Sequence, residues 1–119
     1  MAIVPRVVVM APIDPDYGRI YTMARIMAWQ YGWAAILHGS MTRDLDILLV
    51  PWEQHAHNAD PELIVKRIAD AAGLTPHGTP PSDKPHGRKA WTLLFPGFND
   101  PRWVDISWMP SMPEVKETA

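Results

Sequence analysis

The stretch "LHGSMTRDLDILLVPW", residues 37–52, places two aspartates inside a strongly apolar run, directly after a Gly-Ser pair. Aspartate is uncommon in strands, and side chains two residues apart on a strand point to the same side of the sheet. A strand over residues 44–50 therefore places Asp44 and Asp46 on one face and alternate leucine and isoleucine residues on the other. The apolar face predicts a buried core, whereas the acidic face needs a cation or another compensating group.

The segment "RWVDISWMP" repeats this anomaly near the end of the chain. In a strand over residues 103–110, alternation puts Trp103, Asp105 and Ser107 on one face. If this strand lies beside the first one, three carboxylates converge, and they repel one another unless divalent cations lie between them. Mg²⁺ is the expected occupant because it prefers hard oxygen ligands. The alternative is that the aspartates are unrelated, one of them being an outward charge that discourages edge pairing.

The rest of the chain predicts an α+β domain. Two helices have matching start signals, an aspartate cap followed by proline and an acidic residue at Asp14 and at Asp60, and they end at Gly32 and Gly73. The Pro-rich segment 74–87 is predicted to be a loop. Together these elements predict a small mixed β-sheet with two helices packed against it, with strands over residues 6–13, 33–38, 44–50, 88–95 and 103–110, the last two forming an antiparallel hairpin.

Composition limits the function classes. The 119 residues suit one domain, which we place at residues 1–110, followed by a tail over residues 111–119 that is predicted to be disordered. The absence of cysteine excludes disulfides, zinc–thiolate sites and thiol nucleophiles, and the formal charge of −2 gives no general attraction to nucleic acid or anionic membrane. The apolar N-terminal patch is too short and too Pro-interrupted for a membrane span or signal peptide, so a soluble cytoplasmic protein is expected.

Three elements, "ILHGS", "DLDILLV" and "WVDISW", together resemble the motif set of the nucleotidyltransferase superfamily, which includes polymerase-β-like enzymes and the minimal nucleotidyltransferases of prokaryotes. The resemblance covers residues 33–110, and the short chain is similar to nucleotidyltransferase-like proteins encoded by phages. It implies a nucleotidyltransferase-like fold. It also implies that Asp44, Asp46 and Asp105 are catalytic metal ligands, which would hold two Mg²⁺ ions for which Mn²⁺ can substitute.

The resemblance further implies that Gly39 and Ser40 bind the phosphates of a nucleoside triphosphate. Glycine lets the backbone approach a phosphate closely, and the amides and hydroxyl of a tight turn can donate to its oxygens. Only residues 41–43 separate Ser40 from Asp44, which is shorter than the usual family spacing and leaves fewer backbone donors. Arg43 is expected either to compensate by pairing with a phosphate or to be a surface charge or salt-bridge partner.

The function implied is metal-dependent transfer of a nucleoside monophosphate from a nucleoside triphosphate to a hydroxyl of a protein, an RNA or a small molecule. Two metals on shared carboxylates can stabilise both the attacking and the leaving oxygen. Because the domain is small, we expect a partner or a second copy of the chain, as in a homodimer, to hold the acceptor. Two alternatives stay open: a catalytically inactive nucleotidyltransferase-fold module that binds or inhibits a partner protein, and phosphodiester hydrolysis by the same acids.

Two other groups of residues are notable. Lys84, His86, Arg88 and Lys89 either form a small phosphate-binding patch over the acidic site or are the charges of a solvated loop. Among the six tryptophans, Trp52, just past the acidic strand, is the strongest candidate for an exposed position. The tryptophans inside predicted strands are expected to belong to the hydrophobic core, namely Trp91, Trp103 and Trp108.

Overall fold

The computed structural model describes residues 14–39, 41, 43–78, 82–83, 87–97 and 99–109. The strand predicted over residues 6–13 and the tail from residue 111 lie outside the described residues. The elements of the described part are α1 (Pro15–Gln30), β1 (Trp33–His38), β2 (Leu45–Pro51), a 3₁₀ helix (Gln54–Asn58), α2 (Pro61–Ala72), β3 (Thr75–Pro76), β4 (Ser82–Asp83), β5 (Lys89–Leu94) and β6 (Trp103–Trp108).

Both α-helices begin with the predicted aspartate caps. The Asp14 carboxylate accepts a hydrogen bond from the Asp16 amide at 2.9 Å, and Asp60 accepts one from the Glu62 amide at 3.0 Å. Gly73 ends α2 in the left-handed conformation, with φ of 74°, which glycine adopts at low cost. No helix in the described part of the chain is long and apolar enough to cross a membrane.

The strands form a six-stranded mixed sheet in the order β1-β2-β6-β5-β3, and β4 also pairs with β5. β2 and β6 are parallel, and the other pairings are antiparallel, including the predicted β5–β6 hairpin. The α+β prediction is therefore confirmed. The segment predicted as a loop differs in part, because β3 and β4 lie within it. Strands of two residues have no periodicity of their own, so only their pairing with β5 defines them.

The alternation in the two acidic strands holds. Leu45, Ile47 and Leu49 of β2 and Val104 and Ile106 of β6 are fully buried. They belong to one core cluster with residues of both α-helices, and α1 packs on β1 and α2. The helices therefore cover the apolar face of the sheet. The acidic residues of β2 and β6 are left on the opposite face.

The tryptophans follow the same alternation, which corrects one prediction. Trp52 is 67% exposed, as predicted, and Trp91 and Trp108 are buried. Trp103, predicted to be core, is instead 45% exposed. Its neighbour Val104 takes the core side of β6, so Trp103 belongs to the acidic face of the strand.

Arg102 connects the N-terminus of α1 to the β5–β6 hairpin. Its Nη1 lies 2.8 Å from carboxylate oxygens of both Asp14 and Asp16, and its Nη2 lies 2.7 Å from Asp100. The guanidinium also stands 4.0 Å from the centre of the Phe95 ring. Hydrogen bonds from Arg102 hold the pKa values of Asp14 and Asp100 below their usual range. This cluster fixes the start of α1 against the sheet.

Candidate active site

Parallel pairing of β2 with β6 brings two of the predicted acids together. In the register of these strands, Asp46 lies directly opposite Asp105. Residues opposite each other on neighbouring strands project to the same face, so both carboxylates stand on the face away from the helices. Strand β1 also contributes to this group. β2 lies between β1 and β6, and His38 of β1 is paired with Asp46.

These residues surround a cavity of about 260 Å³. Neighbouring positions of four strands and the residue preceding β5 supply its walls. Small side chains and a hydroxyl leave room between the charged groups. The described residues that line the cavity are His38, Asp46, Arg88, Ala90, Thr92, Asp105 and Ser107.

The electrostatics of the cavity disfavour the charged form of Asp46. Burial is the largest cause and raises the pKa of Asp46, and the charges of Asp105 and Asp44 raise it further, while His38 acts in the opposite direction. A carboxylate with a raised pKa gains from any cation that reaches it. The pair of acids is therefore a suitable place for a positively charged ligand or for a proton.

Two residues that sequence reasoning did not assign to the acid pair also shape it. Thr92 of β5 lies opposite Asp105 of β6, and its hydroxyl donates to Asp105 Oδ1 at 2.6 Å. This bond fixes the orientation of one carboxylate. Thr92 lies between the buried Trp91 and Leu93, so the alternation of β5 could have placed it on the acidic face. Ser107, buried on β6, completes the polar floor.

The predicted basic patch is represented in the cavity by Arg88. Lys84 and His86 lie outside the described residues. Lys89 points elsewhere, since its Nζ lies 2.5 Å from Asp83 Oδ1 in an exposed ion pair. Arg88 lines the cavity together with both carboxylates, so it adds a permanently charged, fork-shaped donor to the site.

The turn between β1 and β2 approaches the acids from one side. Gly39 has φ of 81°, and a Cβ placed there would lie 3.0 Å from Asp46 Oδ2, so glycine permits this close approach. Ser40 lies outside the described residues. Arg43 is exposed, and its carbonyl accepts a 2.5 Å hydrogen bond from the buried Tyr17 hydroxyl. Asp44 directly precedes β2 and acts on Asp46 through its charge.

The donor set can be compared with what a hard cation needs. The described residues contain no group of three or more His, Cys, Asp or Glu side chains arranged to hold a metal. They do contain the facing pair Asp46 and Asp105, and Asp44 is not among the described residues that line the cavity. Mg²⁺ is commonly held by one or two carboxylates, with waters and substrate phosphates as its other ligands. The pair fits that mode of binding, which depends on the substrate to complete the site.

A larger cavity of about 600 Å³ lies between α1 and β1. The described residues that line it are mainly aromatic and aliphatic, and they include Tyr21, Ile26 and Trp29. Among them, Arg25 is the one that carries a charge. Paired acids and polar groups suited to catalysis occur instead in the smaller cavity. We therefore assign the candidate active site to the cavity between Asp46 and Asp105.

Comparison of the chain with family models, curated proteins and solved structures finds no match. The resemblance to nucleotidyltransferases therefore rests on the three sequence motifs alone.

Proposed function

We propose that the chain is a Mg²⁺-dependent nucleotidyltransferase, which moves a nucleoside monophosphate from a nucleoside triphosphate to a hydroxyl acceptor on a protein, an RNA or a small molecule. The acceptor oxygen would bond to the α-phosphorus while the bond to the β-phosphate breaks, so that pyrophosphate and the hydroxyl proton are released. The observation that carries the proposal is the in-register pair Asp46 and Asp105, on neighbouring parallel strands, in one cavity with Arg88. Carboxylates beside a guanidinium suit a ligand that brings a cation and phosphates together.

Four residues of the cavity have a task in this proposal. Asp46 and Asp105 would hold Mg²⁺, or Mn²⁺ in its place, with Asp44 adding negative charge nearby. The metal would neutralise charge on the reacting phosphate and lower the pKa of a bound hydroxyl. Arg88 would bind phosphate oxygens through its planar fork of donors. Thr92 would keep the Asp105 carboxylate in one orientation, because it already donates a hydrogen bond to Oδ1.

Gly39 would allow the reacting phosphate beside Asp46 to lie close to the backbone of the β1–β2 turn. A side chain at this position would have to displace the Asp46 carboxylate, since its Cβ would lie 3.0 Å from Oδ2. Backbone that a phosphate approaches this closely can donate from its amides to phosphate oxygens. Gly39 would therefore serve both the position of Asp46 and access to the substrate.

A second candidate function is a catalytically inactive nucleotidyltransferase-fold module that binds or inhibits a partner protein. It is favoured by Arg88, which lines the same cavity as the acids and brings a positive charge to a site that would otherwise need a cation. The described residues also lack a three-ligand metal group, which this function does not require. In that case Mg²⁺ and nucleotides would leave the protein unaffected.

Thermal melting with Mg²⁺ and each of the four nucleoside triphosphates tests the proposal. A ligand that binds only the folded state at about 100 times its Kd stabilises it by about 2.7 kcal/mol, so a clear rise in Tm is expected. Asp46→Asn should abolish that rise. Asp70→Asn is the matched control, because Asp70 is an exposed aspartate of α2 remote from the cavity residues.

Incubation with α-labelled triphosphate, Mg²⁺ and cell extract should then transfer label to an acceptor. Asp105→Asn should prevent the transfer, and Asp70→Asn should preserve it. Absence of any Tm response together with stable capture of a partner protein would favour the inactive module. Release of labelled nucleotide from nucleic acid, without transfer from a triphosphate, would instead favour phosphodiester hydrolysis.

A further inference from the structure

An exposed tryptophan stands beside the acid pair on the same sheet face. Trp103 precedes Asp105 by two residues on β6, and alternation places both on the side opposite the buried Val104. Two residues of a strand span about 6.6 Å. Trp103 is 45% exposed, although burial of a tryptophan in the core is strongly favourable. Its indole is therefore available to a ligand that occupies the cavity.

The residues on this face of the sheet follow a fixed order along β5 and β6. Trp103 lies opposite Leu94 at one end, and Asp105 lies opposite Thr92 in the next pair on this face. Ser107 and Ala90, two small residues, form the following pair. Arg88 lies beyond them, just before β5 begins. The site is thus aromatic at one end, acidic in the middle and cationic at the other end.

A nucleotide has a matching order of groups. Its planar base is separated by a sugar from the reacting phosphate, and further phosphates extend beyond. We infer that the substrate of this site is a nucleoside triphosphate whose base stacks on Trp103, with its reacting phosphate at Asp46 and Asp105 and its outer phosphates directed to Arg88. This inference rests on the proposed function and adds to it the part of the substrate that the enzyme recognises.

Stacking on an indole would let the base contribute to binding although the cavity of about 260 Å³ has room for little more than the phosphates. The base would lie outside the cavity, on the exposed ring. Every base has a flat aromatic face, so recognition by Trp103 is expected to tolerate any of the four bases. A bare polyphosphate would use Arg88 and the acids and gain nothing from Trp103.

Binding measurements with two ligands separate these contributions. The Kd values of a nucleoside triphosphate and of inorganic tripolyphosphate are measured by calorimetry with Mg²⁺ present. Trp103→Ala should raise the Kd of the nucleotide about tenfold and leave that of tripolyphosphate unchanged. Trp103→Phe should bind the nucleotide nearly as well as the wild type. Trp52→Ala is the matched control, because Trp52 is also exposed. Trp52 follows the last residue of β2, whereas Trp103 lies near the first, so Trp52→Ala should change neither Kd.

The outcomes distinguish this inference from the proposed function. Equal nucleotide affinity of Trp103→Ala and the wild type would overturn the stacking inference while leaving nucleotide binding intact. Equal loss of tripolyphosphate binding would assign Trp103 a structural role and also overturn it. If the wild type binds neither ligand, the proposed function fails and the inference fails with it. If Trp103→Ala does not fold, Trp103→Leu replaces it, because leucine keeps apolar bulk and removes the aromatic face, and it should show the same selective loss of nucleotide affinity.

Discussion

Removal of the Tyr17 hydroxyl tests whether α1 holds the turn that leads into the acidic strand. The Tyr17 ring is fully buried, and its centroid lies 6.0 Å from the centroid of the Phe95 ring. Its hydroxyl donates a hydrogen bond to the Arg43 carbonyl at 2.5 Å. Tyr17→Phe keeps the ring and removes this bond. A typical intramolecular hydrogen bond contributes about 1 kcal/mol net, and a buried carbonyl left without a partner costs about 1–3 kcal/mol.

Because Arg43 is exposed, we expect the loss in free energy of unfolding to lie at the lower end of that range. Water can reach the Arg43 carbonyl when the hydroxyl is gone, so the predicted loss is about 1 kcal/mol, or roughly 3–5 °C in Tm. Urea unfolding followed by tryptophan fluorescence measures it. Tyr21→Phe is the matched control, because Tyr21 lies one turn further along α1 and donates to the Ala35 carbonyl at 2.9 Å.

Both tyrosine variants should lose similar stability, but only Tyr17→Phe should weaken nucleotide binding, since Arg43 belongs to the turn beside Asp46. The affinity measurement described for Trp103 provides the second readout. Unfolding of Tyr17→Phe at the same urea concentration as the wild type would show that this hydrogen bond does not stabilise the turn. Equal loss of nucleotide binding in Tyr21→Phe and Tyr17→Phe would show that only general stability is affected, and would also contradict a role of Tyr17 in positioning the turn.

Three further predictions concern charge and backbone. Gly39→Ala should lower the free energy of unfolding, measured by chemical denaturation, by about 1 kcal/mol, because φ of Gly39 is positive. It should also weaken nucleotide binding, because the new Cβ would lie 3.0 Å from Asp46 Oδ2. Asp46→Asn should raise Tm at neutral pH without ligand, because burial raises the pKa of Asp46 and its charge is unfavourable there. Hydrogen bonds from Arg102 lower the pKa of Asp14, so the stability that this carboxylate contributes should be present above pH 3.8 and be lost as the pH falls below that value in acid titrations. Arg102→Ala should reduce this dependence, leaving the smaller part that comes from the Asp16 amide.

Local features of the fold were predictable from the sequence. The cap of each helix needs only an aspartate and the amide two residues on, and both caps formed as predicted. The faces of β2 and β6 follow from the period of two in a strand, which also put Trp103 and Asp105 on one side. The prediction that Trp103 is core was wrong, because the alternation of β6 outweighs the hydrophobic character of a single side chain. Its exposed fraction shows that the period decided its position.

The sequence by itself determined which side chains share a face of each element, because that depends on residues only two to four positions apart. Tertiary structure decided which faces meet: the parallel register of Asp46 with Asp105, the entry of Arg88 into their cavity, and the clasp of Arg102 on Asp14 from 88 positions along the chain. Such pairs form when packing of the whole core fixes the order and register of the strands. No local pattern encodes that order, so the sequence predicts which acids matter, and only the assembled sheet shows that Asp46 and Asp105 meet beside Arg88.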